Sequence, residues 1–211
     1  MKGLILNNFY SVRDSLNLAL ILSIVATTLL MSSGNPTALK VALYLPMALM
    51  TVGAFEVLKQ DSLSGWDKFE FILPLKRKKV VQSKYVTFLF LLLVSVAVTI
   101  GIFVASSLFV AVPEGVLETT LLRGMGLVLC VASITYALNY ILGGDKSELI
   151  RIISIIFAFA VFSMVSFVQE MIMGEVEGFE KIFSINFLLV SAFFFILSYF
   201  ISVSAYKRKE F

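Results

Sequence analysis

Residues 85–113 read Tyr-Val-Thr-Phe-Leu-Phe-Leu-Leu-Leu-Val-Ser-Val-Ala-Val-Thr-Ile-Gly-Ile-Phe-Val-Ala-Ser-Ser-Leu-Phe-Val-Ala-Val-Pro, 29 residues without a charge. About 20 apolar residues in a helix span the roughly 30 Å hydrocarbon core of a bilayer, so this run predicts a transmembrane helix. Its borders differ in sign. Lys76, Arg77, Lys78, Lys79 and Lys84 precede it, and Glu114 and Glu118 follow it. Because Lys and Arg gather on the cytoplasmic side of a membrane protein, the run also predicts which way the chain crosses.

Working outward, five more uncharged stretches cover residues 15–39, 41–55, 124–144, 152–169 and 182–206. In lipid only helices and closed barrels satisfy their backbone groups, and a barrel would show ten-residue segments of alternating polarity. The expected fold is therefore an all-α integral membrane protein, one domain over residues 1–211, with spans at about 16–34, 38–58, 84–112, 120–143, 149–169 and 183–206. The second span needs extension beyond its uncharged core, which brings Lys40 and Glu56 towards its ends, and Pro46 is expected to kink it. The chain is 59% hydrophobic and 15% charged, whereas an average globular chain is about 25% charged. Cys130 is the one cysteine, so no intrachain disulfide forms, and the absence of His excludes His-ligated zinc sites and Ser-His dyads. The amino terminus lacks the long apolar core and small-residue site of a cleavable signal peptide.

Of the 17 basic residues, 14 fall in alternate connections: Lys2 and Arg13; Lys59, Lys68, Lys76, Arg77, Lys78, Lys79 and Lys84; Lys146 and Arg151; Lys207, Arg208 and Lys209. Lys40, Arg123 and Lys181 lie on the other side. Both termini are thus expected in the cytoplasm of a multi-pass plasma-membrane protein. The net charge of +3 reflects that bias, and it implies no nucleic-acid partner. Ile5, Phe9, Val12 and Leu16 recur at helical spacing, which predicts an amphipathic surface helix at about 3–15.

The longest basic connection carries aromatic side chains. Trp66, Phe69 and Leu73 fall on one helical face, Ser64 and Asp67 have the spacing of a capping box, and Pro74 ends the helix. Asp67, Lys68 and Glu70 would form a charged rim around aromatic anchors, the pattern of a protein-binding hot spot. The same segment could instead rest on membrane lipids, with Lys76 to Lys79 on acidic headgroups.

Two segments carry a family resemblance. They are the opening Met1-Lys2-Gly3-Leu4-Ile5-Leu6-Asn7-Asn8-Phe9-Tyr10 and the loop series Ser64-Gly65-Trp66-Asp67-Lys68-Phe69, Leu73-Pro74-Leu75-Lys76-Arg77-Lys78-Lys79-Val80-Val81, Ser83-Lys84-Tyr85. Together they resemble the small six-span permease subunits of ATP-binding-cassette type 2 exporters. The resemblance implies that the loop between spans two and three holds a cytoplasmic coupling helix seated on a separate ATPase subunit. Trp66, Asp67, Phe69, Glu70, Leu73, Pro74 and Arg77 would then be the coupling residues. ATP and magnesium would bind that partner, since this chain has no phosphate-loop motif, and two permeases, alike or different, would pair with two ATPases. The chain departs from the family at Asn7 and Asn8, where an acidic residue is common, and at Lys76, where Ser is usual.

Three further polar residues are candidates inside or near the spans. Glu56 is expected to pair with Lys59 or the surface helix, Arg123 with Glu118 or Glu170, and Asn139, like Tyr136, to hydrogen-bond between helices. Residues 170–181 are amphipathic and could dip into the membrane as a separate outer helix. Ala19, Ser23 and Thr27 form a small-residue stripe on span one, a candidate face for a second permease, although packing within the chain fits equally. Three functions compete: a non-catalytic exporter subunit for a hydrophobic or amphipathic substrate, peptides included; a stand-alone immunity or structural protein that binds a toxin or lipid; and an intramembrane enzyme. The last is weakest, because no His and no paired acids stand in the spans.

Overall fold

The computed structural model describes residues 2–32, 35–66, 69–70, 76–107, 115–174 and 178–208, and among these there is no strand. Helix α1 covers Lys2–Ser11, α2 Arg13–Ser32, α3 Pro36–Ser64, α4 Arg77–Ser107, α5 Val116–Leu142, α6 Ser147–Met173 and α7 Phe179–Arg208, with a 3-10 turn at Gly144–Lys146. Helices α2 to α7 are each long and apolar enough to cross a membrane, so the chain is a multi-pass membrane protein.

Charged side chains end the apolar runs but not the helices. Helix α3 continues through Pro46 and past Glu56 to Ser64, and α4 already begins at Arg77, a full two turns before its apolar core. Backbone hydrogen bonding and packing carry a helix beyond the hydrocarbon edge, where polar side chains reach water. Asn35 starts α3 by accepting the Thr37 N–H at 2.9 Å, with Pro36 in the first turn.

The amino-terminal helix is shorter than its amphipathic pattern predicts. It ends at Ser11, and buried Val12 forms the turn into α2, whose first turn holds Asp14 near the positive helix end. Leu4 and Asn8 of α1 and Val12 of the turn that follows, spaced one helical turn apart, are buried. A polar side chain thus sits in the middle of the inward face.

Helix α5 is the centre of the bundle. Its most extensive contact is with α7, and it also packs on α6 and α3; α3 in turn holds α2 and α4, and α4 reaches back to α7 and α1. Glycines make the closest approaches. A Cβ on Gly126 would lie 2.7 Å from the Phe187 ring, and one on Gly124 would lie 2.6 Å from the Met47 sulfur. Between α2 and α3, Gly53 leaves room for Leu16, whose Cδ2 would be 2.5 Å from a Cβ there.

The small-residue stripe of α2 is used up inside the chain. Ser23 and Thr27 are fully buried, and α2 packs chiefly on α3, so this stripe is not a free face for a second permease. Leu18, Ile21, Val25 and Leu29 form the exposed side of α2. The expected separate helix over 170–181 is also absent among the described residues: α6 runs to Met173, Gly174 caps it, and α7 opens at Phe179, while residues 175–177 lie outside the described set.

If α5 and α7 meet through Gly126, a bulky side chain there must push the helices apart. Gly126→Leu is expected to cost roughly 1–3 kcal/mol through overpacking and to lower the melting temperature of the protein in detergent. Gly101→Leu is the control, since nothing lies within 4 Å of a Cβ at that position. Equal melting of the two variants would show that the α5–α7 contact is looser than described.

Candidate functional site

Gly65 ends α3 with a φ of 71°, a left-handed conformation that glycine adopts without strain, and donates its N–H to the Ser62 carbonyl. The Phe69 N–H then bonds the Gly65 carbonyl at 3.2 Å, so a new helical segment starts directly after the cap. Ser64 does not cap it. Its hydroxyl donates to the Gln60 carbonyl at 2.7 Å, within the last turn of α3. Asp67, Leu73 and Pro74 lie outside the described residues, so the predicted apolar face is represented by Trp66 and Phe69.

Those two rings pack with centroids 5.2 Å apart, and Phe69 is 51% exposed. Glu70 does not join a charged rim. It is 4% exposed and turned inward, where its Oε1 accepts the Trp66 Nε1–H at 2.9 Å. Helical geometry explains the split: Trp66 and Glu70 are one turn apart, so the indole N–H reaches the carboxylate along one side while Phe69 faces outward.

Beneath Glu70 lies a buried ammonium. The Lys84 side chain is 3% exposed; its Nζ donates to Asp61 Oδ2 and, at 3.0 Å, to Asn8 Oδ1, with Glu70 Oε1 at 3.5 Å. The Asn8 amide donates in turn to Thr87 Oγ1 at 3.1 Å, and the Tyr136 hydroxyl donates to the Lys84 carbonyl at 3.3 Å. Side chains from α1, α3, α4, α5 and the loop therefore meet at one point. The next residue faces the other way: the Tyr85 hydroxyl lies 3.0 and 2.9 Å from Ser198 and Ser202 of α7, and its ring packs on Tyr136 and Phe195.

Among the described residues, one positive and two negative groups share this pocket. Burial raises the Glu70 pKa above the usual carboxylate value, the Lys84 charge works against that, and the Asp61 carboxylate adds to it; the result is a raised value. Tyr140 of α5 is also within electrostatic reach of Glu70.

The remaining predicted residues go elsewhere. Arg77 reaches α7: its Nη1 donates to the Lys207 carbonyl at 2.7 Å and contacts that of Tyr206 at 3.5 Å, holding the carboxyl end of that helix. Glu56 pairs with Arg151 of α6 at 3.6 Å, while Lys59 takes Glu148 at 2.8 Å. Arg123 reaches Glu180 at 3.5 Å, donates to Ser184 at 2.9 Å and lies 5.0 Å above the Phe183 ring, and Glu118 is left to Lys181. Helix α5 packs on α7, and that adjacency decides the partner. Among the described residues the Asn139 side chain makes no interhelical bond; its backbone oxygen takes the Gly143 N–H, whereas Tyr136 does bond across helices.

Asn8, Asp61 and Lys84 were not among the predicted site residues. Their signal is polarity at positions whose neighbours one turn away are apolar, as Asn8 is between Leu4 and Val12. A second feature lies towards the opposite end of the bundle. There a cavity of about 400 Å³ between α6 and α7 is lined by Val161, Met164, Val168, Val190 and Phe194, with Gln169 and Asn186 bonded at 3.3 Å on its wall.

A family model described as ABC-2 family transporter protein matches residues 3–207, a range that contains the loop, the Lys84 pocket and all six long apolar helices. No curated protein and no solved structure matches the chain.

The raised Glu70 pKa sets a sign. The fold holds this proton more tightly than the unfolded chain does, so the contribution to stability is full below the unfolded value and is lost as pH rises through the folded one. Trp66, the sole tryptophan, touches the carboxylate and reports on it. Its emission is expected to titrate with a midpoint above the ordinary carboxylate value of about 4.3, and the transition should vanish in Glu70→Gln. An emission profile without that transition in the parent protein would contradict the inward placement of Glu70.

Proposed function

The chain belongs to the ABC-2 family of transporter proteins, and on that footing we propose that it is the membrane-spanning subunit of an exporter. In this reading a separate ATPase docks on the 59–84 loop, binds ATP and magnesium, and drives a hydrophobic or amphipathic substrate out of the cell. Permeases of this family typically work with an ATPase subunit. The single observation that carries the reading is the Trp66–Phe69 pair: two rings packed together at a tilt, one of them half exposed, on a segment held from behind by a buried ion pair. Exposed aromatic anchors on a rigid base suit a protein partner.

The basic ends of the spans support a cytoplasmic loop and cytoplasmic termini in the plasma membrane. The apolar cavity with its paired amides supports a cargo that is mostly apolar and carries a hydrogen-bonding group. Two permeases and two ATPases would make the working unit. With the Ala19–Ser23–Thr27 stripe packed inside the chain, the exposed side of α2 is one surface open to a second permease.

Single cysteines at Ser64 and Glu177, in a Cys130→Ser background, should label from opposite faces of intact cells. Labelling of both from outside would sink the orientation. Trp66→Ala and Phe69→Ala should each insert normally yet lose the ATPase, since truncating an aromatic anchor costs about 2 kcal/mol or more, roughly thirtyfold in affinity. Copurification of the ATPase at parental stoichiometry with both variants would instead place this face on lipid.

A further inference from the structure

We propose that Lys84 is the positioning residue of the loop: its ammonium, anchored to Asp61 and Asn8, holds Glu70 and through it Trp66, so that the exposed aromatic face sits at a set place relative to α1, α3 and α4. The proposal rests on the reading of that face as a docking surface, and it assigns a role to three residues outside the aromatic face itself.

A lysine ammonium has three N–H groups and no acceptor. Here its three close acceptors come from three different elements: Asp61 on α3, Asn8 on α1 and Glu70 on the loop, with the stem itself on α4. Two of these partners, Asn8 and Glu70, are each fixed by a second contact. The Asn8 amide cannot turn over without losing both bonds, because its oxygen faces Lys84 and its nitrogen faces Thr87, one turn further along α4. The Glu70 oxygen nearest the ammonium is the one that accepts from the indole. Lys76, Lys78 and Lys79 are exposed, and Arg77 is engaged with the end of α7, so of this basic cluster Lys84 is the member that faces the loop from inside.

Charge balance predicts what removal would do. Without Lys84, the buried Asp61 and Glu70 carboxylates lose the ammonium that lies between them. Asp61 is fixed on α3, whereas Glu70 is carried on the loop segment, so Glu70 is the group that can leave for water, and Trp66 leaves with it. Neutralising Asp61 instead leaves one ammonium for one carboxylate, which keeps the loop in place and lets Glu70 ionise more readily.

The experiment uses the full-length permease in detergent and in lipid nanodiscs, with Trp66 fluorescence as the probe. Lys84→Met should raise collisional quenching of Trp66 by iodide severalfold, and Lys84→Arg should restore part of the shielding. Asp61→Asn should keep the parental quenching while moving the midpoint of the Trp66 pH titration downward. Should Lys84→Met fail to insert, Lys84→Gln, which keeps a polar stem and removes the charge, takes its place: positioning by the ammonium predicts raised quenching there too, while Asp61→Asn reports whether Asp61 and Glu70 share the pocket. Parental quenching in a well-inserted Lys84→Met, or an unmoved midpoint in Asp61→Asn, would overturn the proposal whatever the ATPase does. ATPase copurification is scored separately: more quenching with undiminished ATPase would refute the docking reading and leave the positioning role standing.

Discussion

A charged amine cannot sit in the interior of a membrane bundle on its own. Taking an ion out of water costs several kcal/mol even after relaxation, and breaking a buried pair by deleting one partner costs about 3–5 kcal/mol. Lys84 meets that constraint by drawing acceptors from three elements, and much of the local architecture follows. Helix α1 has 10 residues, below the roughly 12–15 at which an isolated helix holds together in water. It is held by Leu4 and Val12 in the core and by Asn8 on the ammonium and on Thr87. Of the loop, the described residues Trp66, Phe69 and Glu70 are tied to the bundle through the Glu70 carboxylate.

The residue after Lys84 ties down the opposite side of α4. Successive side chains on a helix point about 100° apart, so Lys84 serves the α1–α3–loop side while Tyr85 serves α7. Its hydroxyl lies between Ser198 and Ser202, and its ring is enclosed by Tyr136, Phe195 and Tyr199. Arg77 makes a second tie to α7 at that helix's last carbonyls, where a cation also suits the negative helix end. The first three turns of α4 are thus bonded to α1, α3, α5 and α7.

The six spans were legible because a single physical length, the hydrocarbon thickness, selects the apolar runs. Their ends were not, since Gln60, Asp61 and Lys84 are polar and still lie within or beside continuous helix. Lys84 was hidden for a particular reason: it follows four basic residues, and a lysine in such company reads as a topology signal rather than a buried one. Its partners are 23 and 76 positions away, so only the packing of α1 and α3 against α4 reveals them. The same holds for Glu56, expected to meet Lys59 or the surface helix, and for Arg123, expected to meet Glu118 or Glu170: their partners, Arg151 and Glu180, sit on helices brought alongside. Small residues on α2 announced close packing correctly. They could not say whether the close neighbour was a second chain or α3.

The pocket and the aromatic face share one side chain, and that economy bears on how the loop would bind. Trp66 packs on Phe69 with its ring and anchors on Glu70 with its N–H, so these two side chains are already tied to one another and to the bundle. Immobilising a free side chain on binding costs about 0.5–1.5 kcal/mol, and here much of that ordering is already in place. A partner that covers Phe69 therefore presses on a ring whose far edge is bonded, through Glu70, towards a charge fixed to α3 and α4. A lipid surface gains little from such rigidity, because headgroups accommodate side chains in many orientations. A folded groove gains a great deal, and that difference supports the proposed reading of the loop as a surface made for a protein.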